Sequence, residues 1–310
     1  MRKQGRATRL ASLLIAAVLI GFLFSAAAES WDQVYVENEW NYADGSMDIS
    51  KGLPDNATGV MDRIKRTGVL RVATEPYFSP FEYVDPDRDG QDQYAGADIR
   101  LAKLIAERMG VKLEIIPMEF TQVLPALTEN QCDLTLSAIA FTPGRAASYA
   151  MSKGYYFPET SATVVFIIRE EDRDRITTVA DLSDKVIIAQ NNSLQEAMAA
   201  EQVHNYKEFR RAFSAQAVYE AVRNGQADAG VVDMESAQTY VKNNPKAGLI
   251  IAEGISFKLE EHFLGYRAVA KKGELQLIYF VNGVIEEVQG DGTYERWIEE
   301  EQLRADELGM

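Results

Sequence analysis

DLTLSAIAFTPGR, residues 133–145, begins as one kind of structure and ends as another. Leu134, Leu136 and Ile139, set among small residues, read as a buried strand. Ser137, Ala138 and Ala140 leave the backbone bare at its far end. Thr142 then suits a helix N-cap and Pro143 a first helical turn. A strand that gives way to a helix start presents free N–H groups, which favours an anion. Arg145, near the start of that helix, adds a two-pronged donor for a carboxylate. Taken alone, the stretch is equally an ordinary strand–helix junction with a surface arginine.

The segments before it repeat the pattern. A short helix over Met61 to Thr67 ends at Gly68, and Val69 to Thr74 is a strand. Glu75 to Phe81 is a loop with three aromatics and one acid. Phe81 to Val84 is a second strand, leading to a turn over Asp85 to Gln93. Asp98 is placed to cap a helix over Ile99 to Met109, whose Leu101, Leu104 and Ile105 share a face; Gly110 closes it. Val111 to Pro117 is a strand, and Phe120 to Thr128 a helix despite Pro125. This β–α–β–α–β order predicts a largely parallel sheet with helices on both faces. Ligands on such sheets gather at the carboxyl ends of the strands. Three loops are therefore expected to converge: Glu75 to Phe81, Glu119–Phe120 and Ser137 to Arg145.

A second α/β run follows. Ser161 to Ile168 and Val186 to Ala189 read as strands, with a short helix over Thr178 to Leu182 between them. Gln190 to Ser193 precedes a helix over Leu194 to Ala200. Phe209 to Phe213 and Ala215 to Asn224 read as helical. Ala227 to Asp233 is a buried strand ending on an acid; Met234 to Asn243 is a helix and Leu249 to Ala252 a strand. Leu264 to Ala270 and helices over Gly273 to Gln289 and Thr293 to Leu303 return to the style of the first half. The fold class expected is α/β, two-lobed, each lobe a mixed, mostly parallel sheet flanked by helices, with a hinge between them. The expected divisions are 1–28 as signal, 29–60 as an N-terminal extension, 61–158 plus 258–310 as the first lobe and 159–257 as the second.

Residues 1–28 carry Arg2, Lys3, Arg6 and Arg9, an apolar run over Leu10 to Phe24, and Ala26, Ala27 and Ala28 before Glu29. This is the pattern of a secretory signal, cleaved after Ala28 or retained as an anchor. Without it the chain has 28 basic against 47 acidic residues, a net charge of −19. Such an excess argues against nucleic acid or an anionic membrane as partner. Cys132 is the sole cysteine, so no internal disulfide can form. Residues 29–60, with Trp31, Tyr35, Trp40 and Tyr42, show no period and read as a surface strap or a disordered lead-in.

The ordered motifs GVLRVAT, PYFSPFEY, GADIRLAKLIAERMG, EFTQVLPAL, CDLTLSAIAFTPGR, DLSDKVIIAQNNS, VRNGQADAGVVD and VNGVIEEVQGDGTYERW resemble the amino-acid-binding branch of the bacterial extracellular solute-binding proteins, family 3, which serve ABC importers. The resemblance runs from about Met61 to Leu303. It implies the type II periplasmic-binding-protein fold, an extracytoplasmic location, a monomer, and lobe closure over a free L-amino acid. It implies that Arg145 clamps the ligand α-carboxylate, helped by the backbone at Ala138 and Ala140 and by the loop at Ser137. Asp233 would take the α-ammonium, and Ser193 would offer a helix-start N–H or hydroxyl. Phe78 and Phe120 would sandwich the side chain and Glu75 would bond its polar end, so arginine, lysine, histidine or glutamine is expected. Two positions depart from the family pattern: Arg100 replaces the usual Asp, and Gly144 the usual Glu. Read without the resemblance, Asp233 is a helix N-cap, Phe78 and Phe120 are core, and Glu75 is a loop acid.

Other chemistry is weakly supported. Asp85 to Gly90 has the first half of a calcium loop, but Gly96 stands where the twelfth-position Glu belongs, so a hairpin turn is the preferred reading. His204 and His262 have no partner at metal-ligand spacing, and no phosphate loop, dinucleotide fingerprint or nucleophile elbow occurs. No cofactor is expected. Two alternatives use the same fold: a dehydratase of the cyclohexadienyl type, with Glu75 as its acid, and a ligand-sensing input module.

Overall fold

A computed structural model of the chain describes residues 45–157, 163–258 and 265–310. Helix α1 (Gly59–Thr67) leads into β1 (Val69–Thr74). Strands β2 (Tyr77–Phe78), β3 (Glu82–Val84) and β4 (Tyr94–Ala95) form a small antiparallel sheet. The Glu75–Phe81 loop expected from sequence is thus partly a strand, paired in the register Phe78 to Glu82. Helix α2 (Ala97–Met109), β5 (Lys112–Pro117), α3 (Phe120–Thr128), β6 (Leu134–Thr135), α4 (Pro143–Ser148) and β7 (Tyr149–Tyr156) follow. The second lobe contains β8 (Thr163–Arg169), β9 (Val186–Gln190), α5 (Leu194–Gln202), β10 (Glu208–Ala212), α6 (Ala215–Arg223), β11 (Ala229–Asp233), α7 (Met234–Asn243) and β12 (Leu249–Lys258). Strand β13 (Tyr266–Lys271) and helices α8 (Leu275–Gly290) and α9 (Thr293–Leu308) complete the first lobe.

The first lobe's main sheet runs β5-β1-β6-β13-β7, and the second lobe's runs β10-β9-β11-β8-β12. In each, the three strands at one edge are mutually parallel and the other two antiparallel. The division arises because the β–α–β crossovers give parallel neighbours, whereas β13 and β8 enter from the opposite lobe and run the other way. The lobe boundary expected at 158/159 lies outside the described residues; the one expected at 257/258 falls inside β12, whose Phe257 and Lys258 both pair with β8 of the second lobe's sheet.

Strand β8 shows how the second lobe holds together. Val164, Phe166 and Ile168 face one apolar cluster, while Val165 and Ile167 face another. A strand apolar on both faces belongs in the middle of a sheet between helical layers. Two expectations are corrected here. Phe209 to Phe213 is not helical: residues 208–212 form β10, parallel to β9 in register from Glu208–Val186 to Ala212–Gln190. Its helix-like spacing is too short to nucleate a helix, and five backbone pairings with β9 win. Ser214 then caps α6, its hydroxyl accepting from Ala217 N–H at 3.2 Å. Asp98 does not cap α2 either. Gly96 stands at the cap, and the Asp98 side chain turns into the core.

The expected aromatics of the N-terminal extension lie outside the described residues. From residue 45 the chain forms a strap across α8, packed through Met47, Ile49 and Leu53. Met47 N–H donates to Tyr279 C=O at 2.9 Å, and the Asn282 amide donates to Gly45 C=O at 2.7 Å. A Cβ on Gly283 would lie 2.5 Å from Met47 O and 2.8 Å from Ile49 Cγ2, so the crossing needs a bare helix face. Gly283→Val is expected to lift the strap and lower stability by about 1–3 kcal/mol, the usual cost of overpacking. A lower urea midpoint together with faster proteolysis near residue 50 would register this.

Turn 85–93 is a hairpin turn. The buried Asp85 carboxylate accepts from Arg304 at 3.0 Å and pairs with Arg88, so it is held below the usual carboxylate range. Arg100 pairs with Glu300 and Glu301 of α9, away from the cleft. Cys132 is buried beside Asp133, and burial pushes its thiol up to about 12.

Candidate functional site

The carboxyl ends of the central strands of both sheets meet at a cleft. There β1 delivers Glu75, β6 delivers Ser137 and β9 delivers Gln190, while β11 ends on Asp233 itself. All nine residues singled out from sequence, Glu75, Phe78, Phe120, Ser137, Ala138, Ala140, Arg145, Ser193 and Asp233, line one cavity. Glu82, Gln190 and Tyr266 line it too and were not predicted.

Arg145 is placed by its own short helix. Thr142 Oγ1 accepts from Arg145 N–H at 3.1 Å, the N-cap expected from sequence. Its guanidinium donates to Ala140 C=O at 2.7 Å and, across the cleft, to Asn192 C=O at 3.0 Å. It lies 6.0 Å from the Phe120 ring centre. Among the described residues no carboxylate pairs with it, and burial lowers its pKa to about 10. A cation held by carbonyls and a ring face, but without a counter-charge, is poised for an anion.

The backbone nearby is less free than the sequence suggested. Ala138 adopts φ +44°, a left-handed conformation costly for a residue with a Cβ. Its N–H donates at 2.9 Å to Asp98 Oδ2, so that group is already engaged. Asp98 also accepts from Tyr155 Oη and Tyr294 Oη, each at 2.7 Å. Ser137 Oγ accepts from Glu75 N–H at 3.1 Å and donates to Glu82 Oε1 at 3.0 Å. Glu82 is buried, and desolvation and the adjoining Asp98 push its pKa well above the ordinary value. Ser137 therefore acts as a fixed strut under the pocket floor.

Glu75 is 2% exposed. Its Oε1 accepts from the Gln190 amide of the other lobe at 3.2 Å. Burial pushes its pKa up to about 8. On the second lobe, Asp233 caps α7, with Oδ1 accepting from Ser236 N–H at 2.8 Å, and burial raises its pKa. Ser193 caps α5 in the same way, accepting from Glu196 N–H at 3.0 Å. Both residues are thus N-caps, as a reading of the residues alone has it, and both also face the cavity. Phe78 stacks on Phe81 with ring centres 5.5 Å apart, exposing its other side.

Two α/β lobes closing on a cleft with a fork donor on one side and an acid on the other define a small-molecule receptor of the binding-protein type. The chain belongs to the bacterial extracellular solute-binding proteins, family 3, whose model matches residues 70–300. It is 26% identical over 246 residues to a probable histidine-binding protein of Campylobacter jejuni, covering 76% of this chain and 86% of that one. An amino acid ABC transporter substrate-binding protein of Streptococcus pneumoniae, solved bound to L-arginine, superposes with a TM-score of 0.70. It is 32% identical, over 79% of this chain and 98% of its own. An ancestral amino-acid-binding protein described as a precursor of cyclohexadienyl dehydratase gives a TM-score of 0.67 at 26% identity, over 78% and 99%. Among the described residues no helix is long and apolar enough to cross a membrane.

Proposed function

We propose that the chain captures a free basic L-amino acid between its lobes and presents it to the membrane subunits of an ABC importer. The observation that carries this is the pairing, in one cavity, of an uncompensated Arg145 with the Asp233 carboxylate of the other lobe. A zwitterion satisfies both ends only when the lobes are together, so ligand contacts drive closure. Phe78 and Phe120 offer ring faces to a guanidinium or amide, and Glu75 a carboxylate for its N–H groups. Capture outside the cytoplasm accords with a family of extracellular solute-binding proteins; on this reading the chain acts as a monomer, exported through residues 1–28.

Calorimetry with a panel of L-amino acids tests this. Arginine, lysine, histidine and glutamine are expected to bind, arginine or lysine tightest, and glutamate and aspartate are expected to fail. Glutamate or a small aliphatic residue binding tightest would refute the pocket assignment. The dehydratase alternative keeps one supporting relative. An intact amino-acid clamp favours binding, and no turnover of prephenate or arogenate is expected.

Glu75 makes the binding of cations depend on pH. With burial pushing its pKa up to about 8, it is largely neutral at pH 6 to 7. A ligand cation favours the ionised form, so binding releases a proton below about pH 8. Arginine affinity should therefore rise with pH to about 8 and then level, by at most about tenfold per unit. Glu75→Gln should flatten that slope and weaken arginine more than glutamine. For folding the sign is opposite. A carboxyl with a raised folded pKa gives stability that is present below its unfolded value and lost as pH rises through about 8. Thermal unfolding of the free protein across pH 5 to 9 reads that loss, which bound arginine should offset.

A further inference from the structure

A second cavity, of about 300 Å³, opens between the lobes beside the amino-acid pocket. The first lobe supplies Tyr77, Phe78 and Tyr83, and the second supplies Tyr219, Ser236 and Tyr240. Gly309 and Met310 also line it, and among the described residues no lysine, arginine, aspartate or glutamate does. Tyr219 and Tyr240 stack with ring centres 4.0 Å apart and planes 4° apart, making one flat wall. Tyr219 is 3% exposed, yet among the described residues its hydroxyl has no hydrogen-bond partner; the Ser236 hydroxyl stands beside it, next to Asp233. A buried hydroxyl left unpaired costs stability unless something polar meets it. The volume is at the low end for small-molecule sites, enough for one or two fused rings.

Two features tie this cavity to the amino-acid pocket. Phe78 lines both, so its ring is a shared partition. On the other lobe, Ser236 donates its N–H to Asp233, so the first turn of α7 separates the two spaces. Because its walls come from both lobes, the cavity exists in this shape only while the lobes are together.

We propose that this cavity binds a small uncharged aromatic molecule bearing a hydroxyl, and that its occupancy and amino-acid binding reinforce each other. The aromatic walls select a ring, and a lining without charged side chains favours a neutral one. The ligand hydroxyl accepts from one of the Tyr219 and Ser236 hydroxyls and donates to the other. The coupling is reciprocal: whichever ligand closes the lobes assembles the other's site.

The test uses p-cresol as probe on the full-length protein, by saturation-transfer NMR with and without L-arginine. Saturable binding is expected, tightened about fivefold or more by arginine, with arginine affinity raised by the same factor in the presence of cresol. Ala215→Phe, which fills the cavity from its rim, should abolish cresol binding. Tyr219→Phe or Ser236→Ala should weaken it about tenfold, a lost hydrogen bond. Arginine affinity measured alone should stay within about twofold in Ala215→Phe and Tyr219→Phe, since neither residue lines the amino-acid pocket. Absence of saturable cresol binding overturns the proposal, as does binding that survives Ala215→Phe or ignores arginine. Should arginine itself fail to bind while cresol binding remains sensitive to Ala215→Phe, the amino-acid reading falls, the coupling falls with it, and the aromatic site stands.

Discussion

Arg145→Ala is expected to weaken arginine binding by about 2–5 kcal/mol, roughly thirty- to several thousand-fold. Among the described residues lining the cavity, the guanidinium alone can meet a carboxylate with a charged fork. The neighbouring N–H that might have substituted, on Ala138, is spent on Asp98. The same substitution should leave the free protein as stable as before, or more so. Arg145 is a desolvated cation without a counter-charge, and its pKa, lowered to about 10, reflects that cost. Calorimetry and thermal melts on one sample separate the two effects. Near-normal affinity in this variant would remove Arg145 from the site, and a large loss of stability would mean its role is structural.

Asp98→Ala is expected to be among the most damaging single changes in the first lobe. It strips the acceptor from the half-buried Ala138 N–H and from the buried Tyr155 and Tyr294 hydroxyls. Stranded buried donors at about 1–3 kcal/mol each, partly relaxed, suggest a loss of about 3–5 kcal/mol. Asp98→Asn keeps the shape and one acceptor and should lose less. Urea unfolding reads the stability. Binding should fall too, because Ala138 no longer has a bond holding its left-handed backbone in the pocket floor. A variant of normal stability would show that the tyrosines find other partners.

Much of this site is legible in sequence because it sits where the chain changes period. Arg145, Ser193 and Asp233 each stand at a strand end or in the first turn of the helix that follows, and local capping chemistry marks such places. What local pattern cannot carry is a role fixed by distant segments. Asp98 has the look of an N-cap, but Gly96 takes that place. With φ +116° there, and Phe81 O 2.1 Å from where a Cβ would lie, no other residue fits. That shift by two positions turns Asp98 inward. Glu82 reads as a hairpin acid until Ser137 and Asp98 close around it. Gln190 and Asn192 were visible only as the end of a strand, since their bonds to Glu75 and Arg145 cross between lobes. The segment 208–212 was misread because five residues carry too little period to choose between strand and helix.

The strap over α8 has a consequence for the order in which the molecule is completed. Gly45, Met47 and Thr58 bond to Asn282, Tyr279 and Gln276, partners more than two hundred positions later in the chain. A polypeptide made or exported from its N-terminus offers the strap before its berth exists, since α8 emerges more than two hundred residues later. The strap must wait undocked over that span, and contacts so distant in sequence are slow to form. Its docking therefore reports that α8 is in place, and a chain cut short before α8 would keep an unsecured segment open to proteolysis.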